Sequence, residues 1–228
     1  VETMVTVFNG TKKLLDYART NEIQSVLLAS SLEVYGTITN DSKPLTEDAQ
    51  GFLNPMDVRS SYPMAKRAAE TLCHNYAKEY GTHTKVARLA QTFGAGVTKN
   101  DNRVFAQFAR SIINGEDIIM HTKGELCRCY CYTTDAIAAM LYILLRGKDG
   151  EAYNVANETT YISIKDMATF LAETFNPKVK VVVELKENMG YSPTTKLRLS
   201  TNKIQQLGWT PHYNLQEMFH RLIESLKQ

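Results

Sequence analysis

Two stretches decide the fold: Ser25-Val-Leu-Leu-Ala-Ser-Ser-Leu-Glu-Val-Tyr-Gly36 and Arg59-Ser-Ser-Tyr-Pro-Met-Ala-Lys-Arg-Ala-Ala-Glu70. From Ser25 to Ser30 the first is a short, nearly continuous apolar run, the pattern of a strand buried on both faces of a parallel sheet. It ends in hydroxyls and a carboxylate. The second predicts a helix over Tyr62 to Tyr80, with Ala65, Ala68, Ala69, Leu72, Cys73 and Tyr76 on one face. Pro63 suits its first turn and Gly81 stops it. Upstream, Val5, Phe8, Leu14, Leu15, Tyr17 and Ala18 give an approximately helical apolar face before Asn21. Downstream come a strand over Lys85 to Gln91 and a helix over Val104 to Ile113. Strand and helix alternate, which argues for a parallel α/β sheet.

After about residue 115 the spacing loosens. Ile118 to His121, Cys127 to Tyr132, Ala152 to Val155 and Lys178 to Leu185 read as strands, and Thr134 to Leu145 as a helix. Ser163-Ile-Lys-Asp166 reads as a capping box opening a helix through Phe175. Leu215 to Leu226 forms a last amphipathic helix. The expected organisation is a main sheet domain over residues 1–115 and a smaller mixed α/β lobe over 116–228, with some elements exchanged between them.

The 228 residues are 43% hydrophobic and 22% charged, ordinary values for a globular chain. A net charge of +2, with Lys and Arg scattered among Asp and Glu, gives no reason to expect nucleic acid. No apolar run approaches the roughly 18 residues of a membrane span, and no signal peptide is expected. No membrane contact and a cytoplasmic location are the resulting expectations. Cys127, Cys129 and Cys131 alternate along one strand, with Cys73 elsewhere. No second Cys/His cluster completes a ligand set, so packed, reduced thiols and no metal are expected.

Tyr62-Pro-Met-Ala-Lys66 puts a phenol and an ammonium four residues apart, on one helix face. An ammonium beside a phenol stabilises the phenolate, lowers its pKa from about 10, and makes a general base. The 12 tyrosines of this chain and its lysines predict such a spacing about 0.8 times by chance. Tyr161-Ile-Ser-Ile-Lys165 is a second instance, but the cap at Ser163 leaves its Tyr outside a helix. Context singles out the first pair. In open α/β sheets ligands bind beyond the carboxyl ends of strands, where Ser30, Ser31 and Glu33 stand.

These runs, with Arg88-Leu-Ala-Gln-Thr-Phe-Gly94, Arg128-Cys-Tyr-Cys-Tyr-Thr-Thr-Asp135, Tyr153-Asn154 and Leu207-Gly-Trp-Thr-Pro211, resemble the NAD-dependent epimerase/dehydratase family of extended short-chain dehydrogenases. Asn9-Gly-Thr11 resembles the start of a helix in that family. Within it, the chain looks most similar to UDP-glucuronate decarboxylases and dTDP-glucose 4,6-dehydratases.

The resemblance implies a partial Rossmann-like, doubly wound parallel sheet with a smaller mixed α/β substrate lobe. It implies NAD as cofactor and a nucleotide-diphosphate sugar as substrate, reacting through a 4-keto sugar. Ser31, Tyr62 and Lys66 would form the oxidising triad, with Ser30, Tyr62 and Lys66 toward the cofactor. Glu33 matches an acidic position acting near sugar carbon 5. Gln91, Arg128 and, less directly, Arg198 would contact substrate, Arg128 at the diphosphate, where a guanidinium binds in bidentate fashion. Trp209 with Pro211 reads as packing. A homodimer through the helices at 62–80 and 104–113 is a further expectation from the resemblance.

Two departures stand out. Dehydratases of this type carry Asp just before the Glu, whereas Leu32 stands here and cannot transfer a proton. Decarboxylation after 4-oxidation needs no such acid, and epimerisation at carbon 5 or carbon 4 stays open, so the expected activity is that of a nucleotide-sugar epimerase, dehydratase or decarboxylase. The family's Gly-rich pyrophosphate turn has no counterpart in this sequence. The expected reading is a truncated chain lacking on the order of 90 residues, about three βα units. The alternative is a catalytically silent sugar-nucleotide-binding or assembly module without the NAD site.

Overall fold

The computed structural model describes residues 1–186 and 194–228. Helix α1 (Glu2–Thr20) leads into strand β1 (Val26–Ser31), a 3₁₀ turn at Leu32–Tyr35, and helix α2 (Ser61–Tyr80). Then follow β2 (Thr84–Leu89), β3 (Gln91–Phe93), α3 (Val104–Asn114), β4 (Ile118–Met120) and β5 (Cys127–Tyr132). The remaining elements are α4 (Thr133–Arg146), β6 (Glu151–Val155), β7 (Asn157–Ser163) and α5 (Ile164–Phe175). Last come β8 (Val181–Val183), β9 (Lys196–Leu197), α6 (Asn202–Gln205) and α7 (Leu215–Lys227).

Strands β1, β2 and β6 form a parallel sheet in that order, with Val26 opposite Thr84 and Val86 opposite Ala152. Side chains alternate between its faces, and both faces are covered. Val26, Leu28, Val86 and Ala152 pack with Leu15 of α1 and Cys73 and Tyr76 of α2. Leu27, Ala87, Leu89, Tyr153 and Val155 face the other way, against Ala136, Ala139 and Ile143 of α4. Burial on both faces is why the Ser25–Ser30 run reads as continuously apolar. The sheet is doubly wound, as the sequence predicts.

A second sheet holds β3, β5 and β7, with β9 also on β5; β3 and β9 run parallel to β5, and β7 antiparallel. The single strand predicted over Lys85 to Gln91 is therefore two. The chain leaves β6's side at Ala90, whose N–H still donates to Val155 O (2.9 Å), and Gln91 then pairs with Tyr130 of β5. The chain makes the same passage from β6 to β7 through Ala156, which is fully buried. Periodicity cannot show a change of partner within one extended run.

Helices α3, α5 and α7 share a core around Phe93, whose ring lies 4.5 Å from Phe105 and 4.8 Å from Phe219. The two helices of the expected dimer surface sit in different surroundings. Phe105, Phe108 and Ile112 of α3 are buried against α5 and α7, while the helix that packs on α2 is α1. The capping box also moves. Ser163 accepts from Asp166 N, but its hydroxyl, not its N–H, is what meets the Asp166 carboxylate. The reciprocal box belongs to Asn214 and Glu217 at the start of α7, which the sequence reading missed. Trp209 is buried and donates Nε1–H to Asp135 O, a packing role. No helix among the described residues is long and apolar enough to cross a membrane.

Candidate functional site

The carboxyl end of β1 is built by short-range devices. Ser31 caps the 3₁₀ turn, its Oγ accepting from Glu33 N at 3.2 Å, and this presents Glu33 to solvent. Gly36 ends the turn at φ +69°, where a Cβ would sit 2.6 Å from Phe52 O, so only glycine fits. Bonds from Thr37 N to Phe52 O and from Gly51 N to Tyr35 O (both 2.8 Å) then pin the following loop beneath the site. Asp57 caps a second 3₁₀ turn through Arg59 N (2.9 Å), and α2 begins at once with Tyr62 in its first turn.

Tyr62 is 37% exposed, and Lys66 lies one turn on with its ammonium 5.8 Å from the Tyr62 ring centroid. Lys66 Nζ donates to Ala29 O at 2.8 Å, which fixes it over the strand end. Burial lowers the Lys66 pKa, partly offset by Glu70. The phenol does not behave as the Tyr-Lys spacing predicts. Its pKa is raised, chiefly by burial and further by the Glu33 charge, against a lowering hydrogen-bond influence from Ser31. The ammonium is engaged by a backbone carbonyl and lies over the ring, so it does not offset that rise.

A pH titration of phenol absorbance, wild type minus Tyr62→Phe, is therefore expected to show a group ionising above the ordinary value of 10. Glu33→Gln removes a charge that raises this pKa and is expected to shift the titration downward. A phenol ionising below 10 in the unliganded chain would contradict this arrangement.

A cleft of ≈460 Å³ opens beside these residues, lined by Glu33, Asn54, Ser60, Pro63, Arg128 and Thr195 among others. Arg128 comes from β5, where Nη1 donates to Cys127 O (3.1 Å) and Thr195 O (3.2 Å). Burial lowers its pKa, and the nearby Tyr130 and Glu33 oppose this. Glu33 and Arg128, far apart in sequence, thus line one opening, while Ser31 and Tyr62 lie beside Glu33 just outside its wall, with Lys66 one turn on from Tyr62.

Three other candidates fall elsewhere. Ser30 is 4% exposed and donates its hydroxyl to Glu70 (2.5 Å), inside a buried network, so that hydroxyl is not free for a cofactor. Arg198 follows Lys196 and Leu197 of β9, and Leu197 shares with Arg128 the face that lines the cleft. Arg198 itself is not among the residues that line the cleft, and its charge, like that of Arg128, acts on Cys129. Gln91 opens β3 half-buried opposite Tyr130 and is not part of the cleft wall. Sequence reasoning missed Thr195, Asn54 and Ser60, which lie in irregular segments with no periodicity to read.

The buried network around Ser30 supports the site from below. Arg88 of β2 grips Glu70 of α2 with Nη2 to Oε2 at 2.7 Å, and also donates to Tyr35 Oη (3.1 Å) and Glu47 O (2.6 Å). Tyr35 Oη in turn donates to Asn154 of β6 at 2.7 Å. One ion pair thereby joins the strand end, the Tyr62 helix and the loop beneath it. Among the described residues no group of three or more His, Cys, Asp or Glu could hold a metal ion.

The model of the NAD dependent epimerase/dehydratase family matches residues 1–156. The chain belongs to that family. It is 30% identical over 217 residues to UDP-glucuronic acid decarboxylase 5 of Arabidopsis thaliana, a match covering 95% of this chain and 62% of that protein. With UDP-glucuronic acid decarboxylase 1 of Danio rerio it shares 28% over 230 residues, covering 98% and 52%. The chain thus spans between about half and three fifths of the length of these curated relatives. Among solved structures, UDP-glucose 4-epimerase of Thermotoga maritima, crystallised with UDP-glucose, superposes with a TM-score of 0.83 at 22% identity, covering 98% of this chain and 70% of that one. For dTDP-glucose 4,6-dehydratase of Bacillus anthracis in complex with NAD the values are 0.81, 17%, 98% and 68%. The fold of this family member is the Rossmann-like one of those enzymes.

Proposed function

We propose that this chain is the catalytic part of an NAD-dependent enzyme that oxidises carbon 4 of a nucleoside-diphosphate glucuronate and decarboxylates it. The observation that carries the reading is the cluster of Ser31, Tyr62 and Lys66 at the carboxyl end of β1, next to Glu33, which shares a cleft with Arg128. The residues fit the nicotinamide-ribose end of the cofactor. Tyr62 is open to solvent, and Lys66 makes no ion pair among the described residues, so after Ala29 its ammonium keeps protons for ribose hydroxyls.

Bound NAD supplies the hydride acceptor for carbon 4. Tyr62 accepts the proton of the carbon 4 hydroxyl, with Ser31 hydrogen-bonding the same oxygen. The new ketone stands β to the carboxylate, so the bond between carbons 5 and 6 breaks. Its electron pair moves toward the carbon 4 oxygen, which Ser31 and Tyr62 stabilise by hydrogen bonding, and carbon dioxide leaves. Glu33 handles the proton returned to carbon 5, and Tyr62 then gives its proton back to the carbon 4 oxygen as carbon 4 regains its hydride, which leaves a UDP-pentose. Arg128 holds the diphosphate. Leu32, 2% exposed in the core, offers no acid for expelling a hydroxyl, which weighs against dehydration. The named relatives favour the same choice, being UDP-glucuronic acid decarboxylases.

The test is product analysis with NAD and, separately, UDP-glucuronate, UDP-glucose and dTDP-glucose. Carbon dioxide and a UDP-pentose from the first alone are expected. A 4-keto-6-deoxy sugar from dTDP-glucose, with no carbon dioxide from UDP-glucuronate, would reject decarboxylation. The raised phenol pKa favours one other reading, a silent sugar-nucleotide-binding module. Calorimetric titration with NAD separates the two, since tight binding rules that module out.

A further inference from the structure

The cleft wall holds a polar atom to which the fold gives no partner. Thr195 is 6% exposed and lines the cleft beside Arg128, yet its Oγ1 is buried with no hydrogen bond. Among the described residues only Thr82 Oγ1 shares that condition, in the turn between α2 and β2 and away from the cleft. Buried polar atoms are normally paired, because an orphaned one forfeits its hydration.

The Thr195 backbone, by contrast, is firmly held. Its carbonyl accepts from Cys127 N at 3.0 Å and from Arg128 Nη1 at 3.2 Å. The residue is thus clamped against the guanidinium it neighbours. One step of χ1 exchanges the staggered positions on its Cβ, so the hydroxyl can turn toward the cleft without backbone movement. Arg128 Nη1 is already tied to two carbonyls, which leaves its other N–H groups for an acceptor in the cleft. A cation and a spare hydroxyl side by side suit an oxygen that only accepts, the character of a phosphoryl oxygen.

We propose that Thr195 Oγ1 donates a hydrogen bond to a phosphoryl oxygen of the nucleoside diphosphate that Arg128 holds, which makes residue 195 a binding residue of the same cleft. This rests on the nucleotide-sugar reading above. The ligand completes a hydrogen-bond set that the protein leaves open. Occupancy therefore compensates Thr195 only when an anion is present.

Calorimetric titration of UDP and of inorganic pyrophosphate into the full protein tests this, using wild type, Thr195→Val, Thr195→Ser and Arg128→Gln. Thr195→Val is expected to weaken both ligands about 10–100-fold, the share of one hydrogen bond to a charged group. Thr195→Ser is expected to stay near wild type. The unliganded Tm of Thr195→Val is expected to equal or exceed wild type, since the orphaned hydroxyl is gone; a merely structural hydroxyl would lower it. Unchanged UDP affinity in Thr195→Val, with Arg128→Gln impaired, overturns the inference and leaves the nucleotide reading standing. Weakened UDP with unchanged pyrophosphate overturns the phosphoryl assignment. A wild type that binds neither ligand overturns both the inference and the reading beneath it.

Discussion

Tyr62→Phe is expected to lower kcat on the nucleotide sugar by about 10²–10⁴-fold, the usual contribution of a positioned proton-transfer group. The ring keeps its packing, and the lost atom is the hydroxyl near Ser31. KM is expected to change little, because the proposed diphosphate contact, Arg128 in the neighbouring cleft, is untouched. Lys66→Met should cost a comparable factor, and the double variant little more than either single one, since residues acting as a unit do not add. Steady-state kinetics over these three variants reads the outcome. Undiminished kcat in Tyr62→Phe would remove the phenol from the reaction. The expectation is worth testing because the unliganded phenol is tuned the wrong way for a base. The compensating change has to arise in the loaded site, where Lys66 can exchange the Ala29 carbonyl for other acceptors.

Glu70→Ala is expected to destabilise the fold by about 3–5 kcal/mol, the range for removing one partner of a buried ion pair. The carboxylate and guanidinium side chains are 10% and 14% exposed, so neither is rescued by water. Its removal strands the Arg88 charge and leaves the Ser30 hydroxyl without its acceptor. Replacing both partners, as Glu70→Leu with Arg88→Leu, is expected to recover much of the loss, because no uncompensated charge then stays inside. Urea unfolding midpoints with unchanged slopes measure both effects. A Glu70→Ala variant within about 0.5 kcal/mol of wild type would mean that water or another group already satisfies Arg88, which its burial argues against.

The elements that carry the site were legible because their signals are local. The β1 run, Pro63 and Gly81 each act through nearest neighbours, and β1 and α2 form close to where those residues put them. Ser31, Tyr62 and Lys66 follow from β1 and α2 being adjacent. Legibility failed where a side chain's duty depends on a distant partner. Ser30 and Ser31 look alike in sequence, yet a carboxylate forty residues on claims the first. Arg198 is a cation near a binding motif, but it falls just past β9 and outside the cleft wall, and β9 is too short for its phase to be read. The pKa of Tyr62 could not be read from a four-residue spacing, because the backbone carbonyl that engages Lys66 belongs to another element.

The paired crossings at Ala90 and Ala156 bear on how firmly the two sheets are joined. At both points the chain passes from the first sheet to the second, and Ala90 is tied to Val155 at that seam. Leu32, Val34, Tyr35 and Ala90 pack with Cys129 and Leu197 across it, so the end of β1 and the strand that carries Arg128 rest on one core. A change that loosens this core is felt on both sides of the cleft at once.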